Sequence, residues 1–135
     1  MDAKTSILVV DDEEVVRRGY ARILGEMDCD AQGAADGEQA LRAMERRAFD
    51  VVLLDIRMPG AQGLEVLRAI KRRWPASEVV IITGYPTVES AKEALQLGAC
   101  NYLAKPAAPD DLIDAACAAM RRKMWALQAD AAPAH

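Results

Sequence analysis

Three aliphatic runs constrain this chain more than any other feature: Ile7-Leu8-Val9-Val10, Val51-Val52-Leu53-Leu54 and Val79-Val80-Ile81-Ile82. None alternates with polar residues. Each therefore reads as a strand buried on both faces, the pattern of a parallel sheet covered by helices. Each run also ends in oxygen-bearing side chains: Asp11-Asp12, Asp55 and Thr83. A carboxylate at the end of a buried strand lies at the rim of the core. Its partial burial is costly unless a cation, a hydrogen bond or a proton compensates. Three strands that deliver oxygens to one rim make a candidate site.

Helix-like segments separate these runs. Val16, Tyr20, Ile23, Leu24 and Met27 recur at helical spacing, and a weak strand follows at Asp30 to Ala34. A helix is expected from about Gly37 to Arg47, with Ala40, Leu41 and Met44 facing inward. After Asp55, a loop through Met58-Pro59-Gly60 leads to a helix carrying Val66, Leu67, Ile70 and Trp74, stopped by Pro75. Gly84-Tyr85-Pro86 is a loop, and Thr87 is placed to cap a helix ending near Gly98. A short strand, Asn101 to Ala104, meets Lys105-Pro106. A final helix is expected from Pro109 to Gln128, giving a single domain over residues 1–128 and a flexible tail over 129–135.

Five alternations of strand and helix predict an α/β fold with a parallel sheet. The first, third and fourth strands are the most apolar and belong in the middle; the second and fifth suit the edges. Strand order 2-1-3-4-5 meets both conditions, with right-handed crossovers placing helices on both faces. In that order the connections diverge between strands one and three, which opens a crevice at their carboxyl ends. Asp11, Asp12 and Asp55 meet there, flanked by Thr83 and Lys105.

The composition fits a globular domain. In 135 residues, 52% are hydrophobic and 28% charged, with 17 basic against 21 acidic side chains. That balance gives no basis for direct nucleic-acid binding or attachment to an anionic membrane. The clusters Arg46-Arg47, Lys71-Arg72-Arg73 and Arg121-Arg122-Lys123 fall near expected helix ends, where they complement the helix dipole. No apolar stretch is long enough to span a bilayer, and no signal peptide is visible. Cys29, Cys100 and Cys117 lack C-x-x-C spacing and the one histidine is terminal, which speaks against zinc. Free thiols in a reducing cytoplasm are expected.

Three clustered carboxylates repel one another by roughly 4 kcal/mol per pair at an effective dielectric of 20. One must hold a proton or a cation must be present. An all-oxygen site of this kind suits Mg²⁺ or Mn²⁺, and open magnesium positions suit phosphate oxygens. A carboxylate is also a competent nucleophile toward phosphorus. Lys105 supplies a point charge and Thr83 a hydroxyl for the phosphoryl oxygens.

With those residues in view, the chain resembles the receiver domain of bacterial two-component response regulators over roughly residues 4 to 125. The matching pieces are Ile7 through Asp12, Asp50 through Gly60, Thr83-Gly84, Gly98-Ala99 and Tyr102 through Pro106. Their order and spacing agree together. The fold this implies is the flavodoxin-like (βα)5 doubly wound sheet. Receivers themselves exemplify strand order 2-1-3-4-5, so the order and the resemblance are not independent arguments.

The resemblance implies that Asp55 accepts a phosphoryl group from a sensor histidine kinase or a phosphotransfer protein. Asp12 would bind Mg²⁺ directly, Asp11 mainly through water, and Asp55 with the backbone carbonyl of Arg57 would complete the protein ligands. Thr83 and Lys105 would contact the phosphoryl group, and Lys105-Pro106 would be a cis peptide. Tyr102 would be the switch aromatic, turning inward as Thr83 moves. The output surface would be formed by the fourth helix, fifth strand and fifth helix, which is also a candidate homodimer face. The protein would then be a switch rather than an enzyme, self-catalysing phosphotransfer and dephosphorylation at most.

Two other readings compete. A Mg²⁺-dependent phosphohydrolase also uses an aspartyl phosphate and a lysine. Its nucleophile commonly lies on the first strand with a general acid two residues on, whereas here the third strand carries it and Arg57 follows. A degenerate receiver would act only as a binding module, against which the intact acidic cluster argues. Asp11 or Asp12 as a plain helix cap, Lys105 as a solvated lysine and Tyr102 as a packed edge aromatic are the simpler alternatives. Departures from the family pattern are Ala107 after Lys105-Pro106, Gln62 before Gly63, and the bulky pair Arg57 and Tyr85. That pair is placed to slow hydrolysis or hinder small phosphodonors. No output module follows the final helix, so the chain is either a stand-alone receiver or one domain of a longer regulator. Its output partner is not legible, although Met124, Trp125 and Leu127 are placed to meet a second copy.

Overall fold

The computed structural model describes residues 4–57 and 63–131, with side chains to residue 128. Met58-Pro59-Gly60, Gln62 and residues 132–135 lie outside the described residues. Ten elements alternate: β1 (Ser6–Val10), α1 (Glu14–Glu26), β2 (Asp30–Ala34), α2 (Gly37–Arg46), β3 (Val51–Leu54), α3 (Gly63–Arg73), β4 (Glu78–Thr83), α4 (Val88–Gln96), β5 (Asn101–Ala104) and α5 (Pro109–Ala131).

All strand pairings are parallel, in the order β2-β1-β3-β4-β5. Every residue of β3 and β4 is buried, as is β1 after Ser6, whereas β2 is mostly exposed and β5 mostly half-buried. Burial thus follows the strand strengths that predict the order. Because side chains alternate along a strand, each aliphatic run feeds two cores. Leu8, Val10, Val52, Leu54, Val79 and Ile81 pack with Met44, Leu67 and Ile70 on the face covered by α2, α3 and α4. Ile7, Val9, Val51, Leu53, Val80 and Ile82 pack with Leu24 of α1 and Leu112, Ala115, Ala116 and Ala119 of α5.

Caps and close approaches set the element ends near the strand tips. Asp36 accepts a hydrogen bond from the Gln39 amide and Thr87 from the Ser90 amide, which starts α2 and α4. Gly98 ends the α4 turn at φ +106, a left-handed conformation suited to glycine. At Gly63 a Cβ would lie 2.2 Å from the Ile56 Cα, so only glycine lets α3 begin against the segment after Asp55.

Two expectations change. α5 continues to Ala131, past Gln128, because its alanine-rich end favours helix. As a result Arg121-Arg122-Lys123 lies inside the helix rather than near its end, and the last turn holds no basic residue. Arg122 and Lys123 instead grip the amino-terminal rim of the sheet, while Arg121 is exposed. Lys123 Nζ bonds Asp50 Oδ1, and Arg122 Nε lies 3.4 Å from Glu78 Oε2.

Candidate functional site

At the opposite, carboxyl-terminal rim, β1 delivers Asp11 and Asp12, β3 delivers Asp55, β4 ends on Thr83, and the turn after β5 carries Lys105. The fold therefore gathers residues that are 94 and 50 positions apart in the chain. Asp11, Asp55 and Thr83 are buried, whereas Asp12 is exposed. One oxygen from each of Asp11, Asp12 and Asp55 can be chosen so that all lie within 4.8 Å of one another.

Lys105 Nζ donates to Asp11 Oδ2 at 2.5 Å and to Asp55 Oδ2 at 2.8 Å. Burial acts to lower the lysine pKa, but these two hydrogen bonds and the carboxylate charges outweigh it, and the ammonium is held above its ordinary value. The peptide before Pro106 is cis, as the resemblance implies.

Two backbone amides complete the rim. Arg57 N–H donates to Asp55 Oδ1 at 2.8 Å, and Tyr85 N–H donates to Thr83 Oγ1 at 3.2 Å. Each lies two residues beyond the side chain it holds, a local turn geometry natural to Asp and Thr. Asp11 is anchored similarly. Its Oδ1 accepts from Glu13 N–H at 2.9 Å, so it serves the start of α1 as well as the cluster.

The sequence places Arg57 and Tyr85 at the site but does not show their contact, and it does not mark Tyr20 or Arg17 as neighbours of the site. The Arg57 guanidinium carbon stacks 4.0 Å above the centroid of the Tyr85 ring, joining the loops after β3 and β4. Tyr20 reads from the sequence as part of the apolar face of α1. Burial raises its phenol pKa, and Lys105, Asp11 and Asp55 also act on it electrostatically. Arg17 Nη1 donates to the Asp11 carbonyl at 2.8 Å. Helical spacing places Tyr20 and Arg17 on α1, but it does not say that the helix tip leans over the site.

Tyr102 is half-buried on β5. Its hydroxyl lies 2.5 Å from Ser90 Oγ and accepts from Thr87 N–H at 3.3 Å, so it contacts the first turn of α4.

The donor set suits a hard divalent cation. It is all carboxylate, with no imidazole or thiolate, and three acidic groups against one ammonium leave two negative charges to neutralise. A carboxylate beside an ammonium and a hydroxyl has the groups that phosphoryl acceptance needs. Among the described residues no helix is long and apolar enough to cross a membrane.

Comparison with known proteins agrees with this geometry. The family model for the response regulator receiver domain matches residues 7–117. A Rickettsia bellii protein named as an NtrX-like response regulator is 38% identical over 109 residues, covering 79% of this chain and 23% of its own length. The crystal structure of NtrX from Brucella abortus superposes with a TM-score of 0.90 at 34% identity, covering 98% of this chain and 31% of that one. The isolated receiver domain of the same Brucella protein gives a TM-score of 0.81 at 38% identity, covering 85% and 98%. The chain spans about a quarter of the length of the NtrX-like relatives it matches.

Proposed function

This chain belongs to the response regulator receiver family, and from that membership we propose that it is a phosphorylation-driven switch with Asp55 as the phosphoacceptor. Receiver domains are signalling switches and generally not enzymes. The observation that carries the reading is the double hydrogen bond of Lys105 Nζ to Asp11 and Asp55 beside buried Thr83. A structural salt bridge needs one carboxylate; this ammonium serves two, with a third at the rim.

In the proposed reaction Asp55 Oδ2 attacks the phosphorus of a phosphohistidine on a sensor kinase or phosphotransfer protein. The nitrogen–phosphorus bond breaks, an oxygen–phosphorus bond forms, and the imidazole leaves to take a proton. Lys105 then moves its contact from the Asp55 oxygen to a phosphoryl oxygen. The Thr83 hydroxyl donates to another, while its oxygen keeps the Tyr85 amide. Asp12, Asp11 through water, Asp55 and the Arg57 carbonyl are the residues that would hold Mg²⁺, which supplies charge neutralisation to the phosphoryl oxygens. Hydrolysis of the acyl phosphate returns the carboxylate and orthophosphate.

The readout proposed is the face of α4, β5 and α5. Tyr102 joins β5 to the α4 cap, and Val88 and Leu95 are 75% and 52% exposed on α4. Moving such a switch from 1:99 to 99:1 takes about 5.5 kcal/mol of differential stabilisation, within reach of several charge-assisted hydrogen bonds.

Incubation with Mg²⁺ and a small acyl phosphate, followed by intact mass measurement, tests the reading. The native chain is expected to gain one labile phosphoryl group and Asp55→Asn none. Continuous turnover of the donor without a stable adduct would indicate a phosphohydrolase. A chain that takes no phosphate even from a histidine-phosphorylated donor protein would overturn the switch reading.

A further inference from the structure

Four sulfur side chains line one cleft remote from the acidic rim. Met27 and Cys29 come from the turn between α1 and β2, and Cys117 and Met120 from α5. Thr5, just before β1, lines it too, so the cleft lies at the end of that strand opposite Asp11. Asp28, at φ +61, turns the chain between Met27 and Cys29, and Cys29 Sγ lies 3.8 Å from the Met27 carbonyl oxygen. Cys117 and Met120 are three positions apart and therefore share a face of α5.

The cleft is open to solvent and holds about 270 Å³. Leu24 and Ile113 wall it, and Arg121 is the one cation among its lining residues. Core packing accounts for only part of the sulfur set. Cys29 and Met120 pack against the core beneath α1 and α5, but Met27 is 45% exposed and Cys117 is exposed. Burial raises the Cys29 thiol pKa, and the charges of Cys117 and Asp28 add to that rise. The two thiols are thus near enough to act on one another, and both are free.

We propose that this cleft is a binding site for one soft monovalent metal ion of the Cu(I) class. Cys29 and Cys117 would bind it as thiolates, with Met27 and Met120 adding thioethers. Thiolate and thioether sulfurs select soft ions, and neither imidazole nor carboxylate lines the cleft to favour a harder one. Binding exchanges two thiol protons, released to solvent, for the metal, whose oxidation state does not change. Two thiolates and one monovalent cation leave a single negative charge, which Arg121 stands ready to balance. The cleft is wider than an ion, and the unbranched methionine side chains can rotate to close on it. Its open mouth supplies the entry path that a metal site needs. None of these residues belongs to the acidic rim, so the site does not depend on the phosphoacceptor reading.

Anaerobic titration of the full, reduced chain with Cu(I) held by a coloured chelator tests the proposal. The native chain is expected to withdraw one equivalent, and Asp55→Asn should do the same. Cys29→Ser and Cys117→Ser should each weaken binding by more than about tenfold, the loss that even an outer-shell partner can cause. Met27→Leu with Met120→Leu should also weaken it, whereas Cys100→Ser, outside the cleft, should not. Cu(I) should raise the melting temperature of the native chain and not that of Cys29→Ser, because only a site formed by folding stabilises the fold. A native chain that takes no Cu(I) from the chelator overturns the proposal. So does an equal loss from Cys100→Ser, which would mean scattered thiols, or binding of Zn(II) in preference to Cu(I). Affinity that the methionine pair leaves unchanged would overturn the four-sulfur set.

Discussion

Lys105 Nζ lies 2.8 Å from Asp55 Oδ2, closing a link between the turn after β5 and the end of β3. The same nitrogen reaches Asp11 just after β1, so one cation ties the tips of two interior strands to the turn after the β5 edge. In the proposed reading, phosphorylation at Asp55 would engage the carboxylate that Lys105 grips. The consequences divide among the metal ligands, the loop covering the site, the β5–α4 contact and the far rim of the sheet.

Asp12 is exposed and its side chain makes no hydrogen bond among the described residues. Its use is therefore expected to be ligation. Asp12→Asn should leave metal-free melting unchanged or slightly higher, because one like charge is removed. Mg²⁺ affinity, read by calorimetric titration, should fall at least about tenfold. Unchanged affinity would remove Asp12 from the ligand set.

The Arg57–Tyr85 stack joins the loops that follow Asp55 and Thr83. An exposed cation–π contact contributes about 0.5–1 kcal/mol, a factor of about two to five in a rate that requires opening it. Tyr85→Ala is expected to accelerate loss of the phosphoryl group from Asp55 by that factor. A dephosphorylation rate equal to the native one would contradict a gating role.

Tyr102→Phe removes the hydroxyl that meets Ser90 and the Thr87 amide. Phosphorylation by a small donor should be unaffected, since the ring does not touch the acidic cluster. Amide exchange at Thr87 and the first turn of α4 should increase, with a stability loss of about 0.5–1.5 kcal/mol. An unchanged exchange pattern would mean that Tyr102 does not couple β5 to α4.

Asp50 anchors the opposite rim through Ser6 and Lys123. Burial acts to raise its carboxyl pKa, but the Lys123 and Ser6 hydrogen bonds prevail and hold it below the ordinary 3.8. A carboxyl depressed by folding stabilises above its unfolded pKa, and that contribution is lost as pH falls through the folded value. Asp50→Asn should thus cost about 1–3 kcal/mol at neutral pH, with native and variant denaturation curves converging below about pH 4. A gap that persists at low pH would assign the loss to packing rather than charge.

The aliphatic runs made the sheet and its order legible, because residues buried on both faces cannot alternate. Once the strands lie in order 2-1-3-4-5, Asp11, Asp12, Asp55, Thr83 and Lys105 converge by topology alone. The stack of Arg57 on Tyr85 was not legible as a contact, since two loops of unrelated sequence create it. Tyr20 does pack against the core, as helical spacing says, but spacing reports a face and not what lies at its edge, here Asp11, Asp55 and Lys105. Glu78 falls at the start of a strand, where an acidic residue reads as a boundary; its burial arises from the return of α5 and Arg122. That return also turned Arg122 and Lys123 from part of an expected helix end into a clamp on the sheet.

The central claim is that one particular carboxylate of the three becomes phosphorylated. Borohydride reduces an acyl phosphate to an alcohol, so a phosphorylated aspartate is trapped as homoserine. After phosphorylation with Mg²⁺ and a cognate or small donor, peptide sequencing should find homoserine at position 55 and aspartate at 11 and 12. Homoserine at position 11 or 12, or a labelled chain with aspartate intact at all three, would contradict the account.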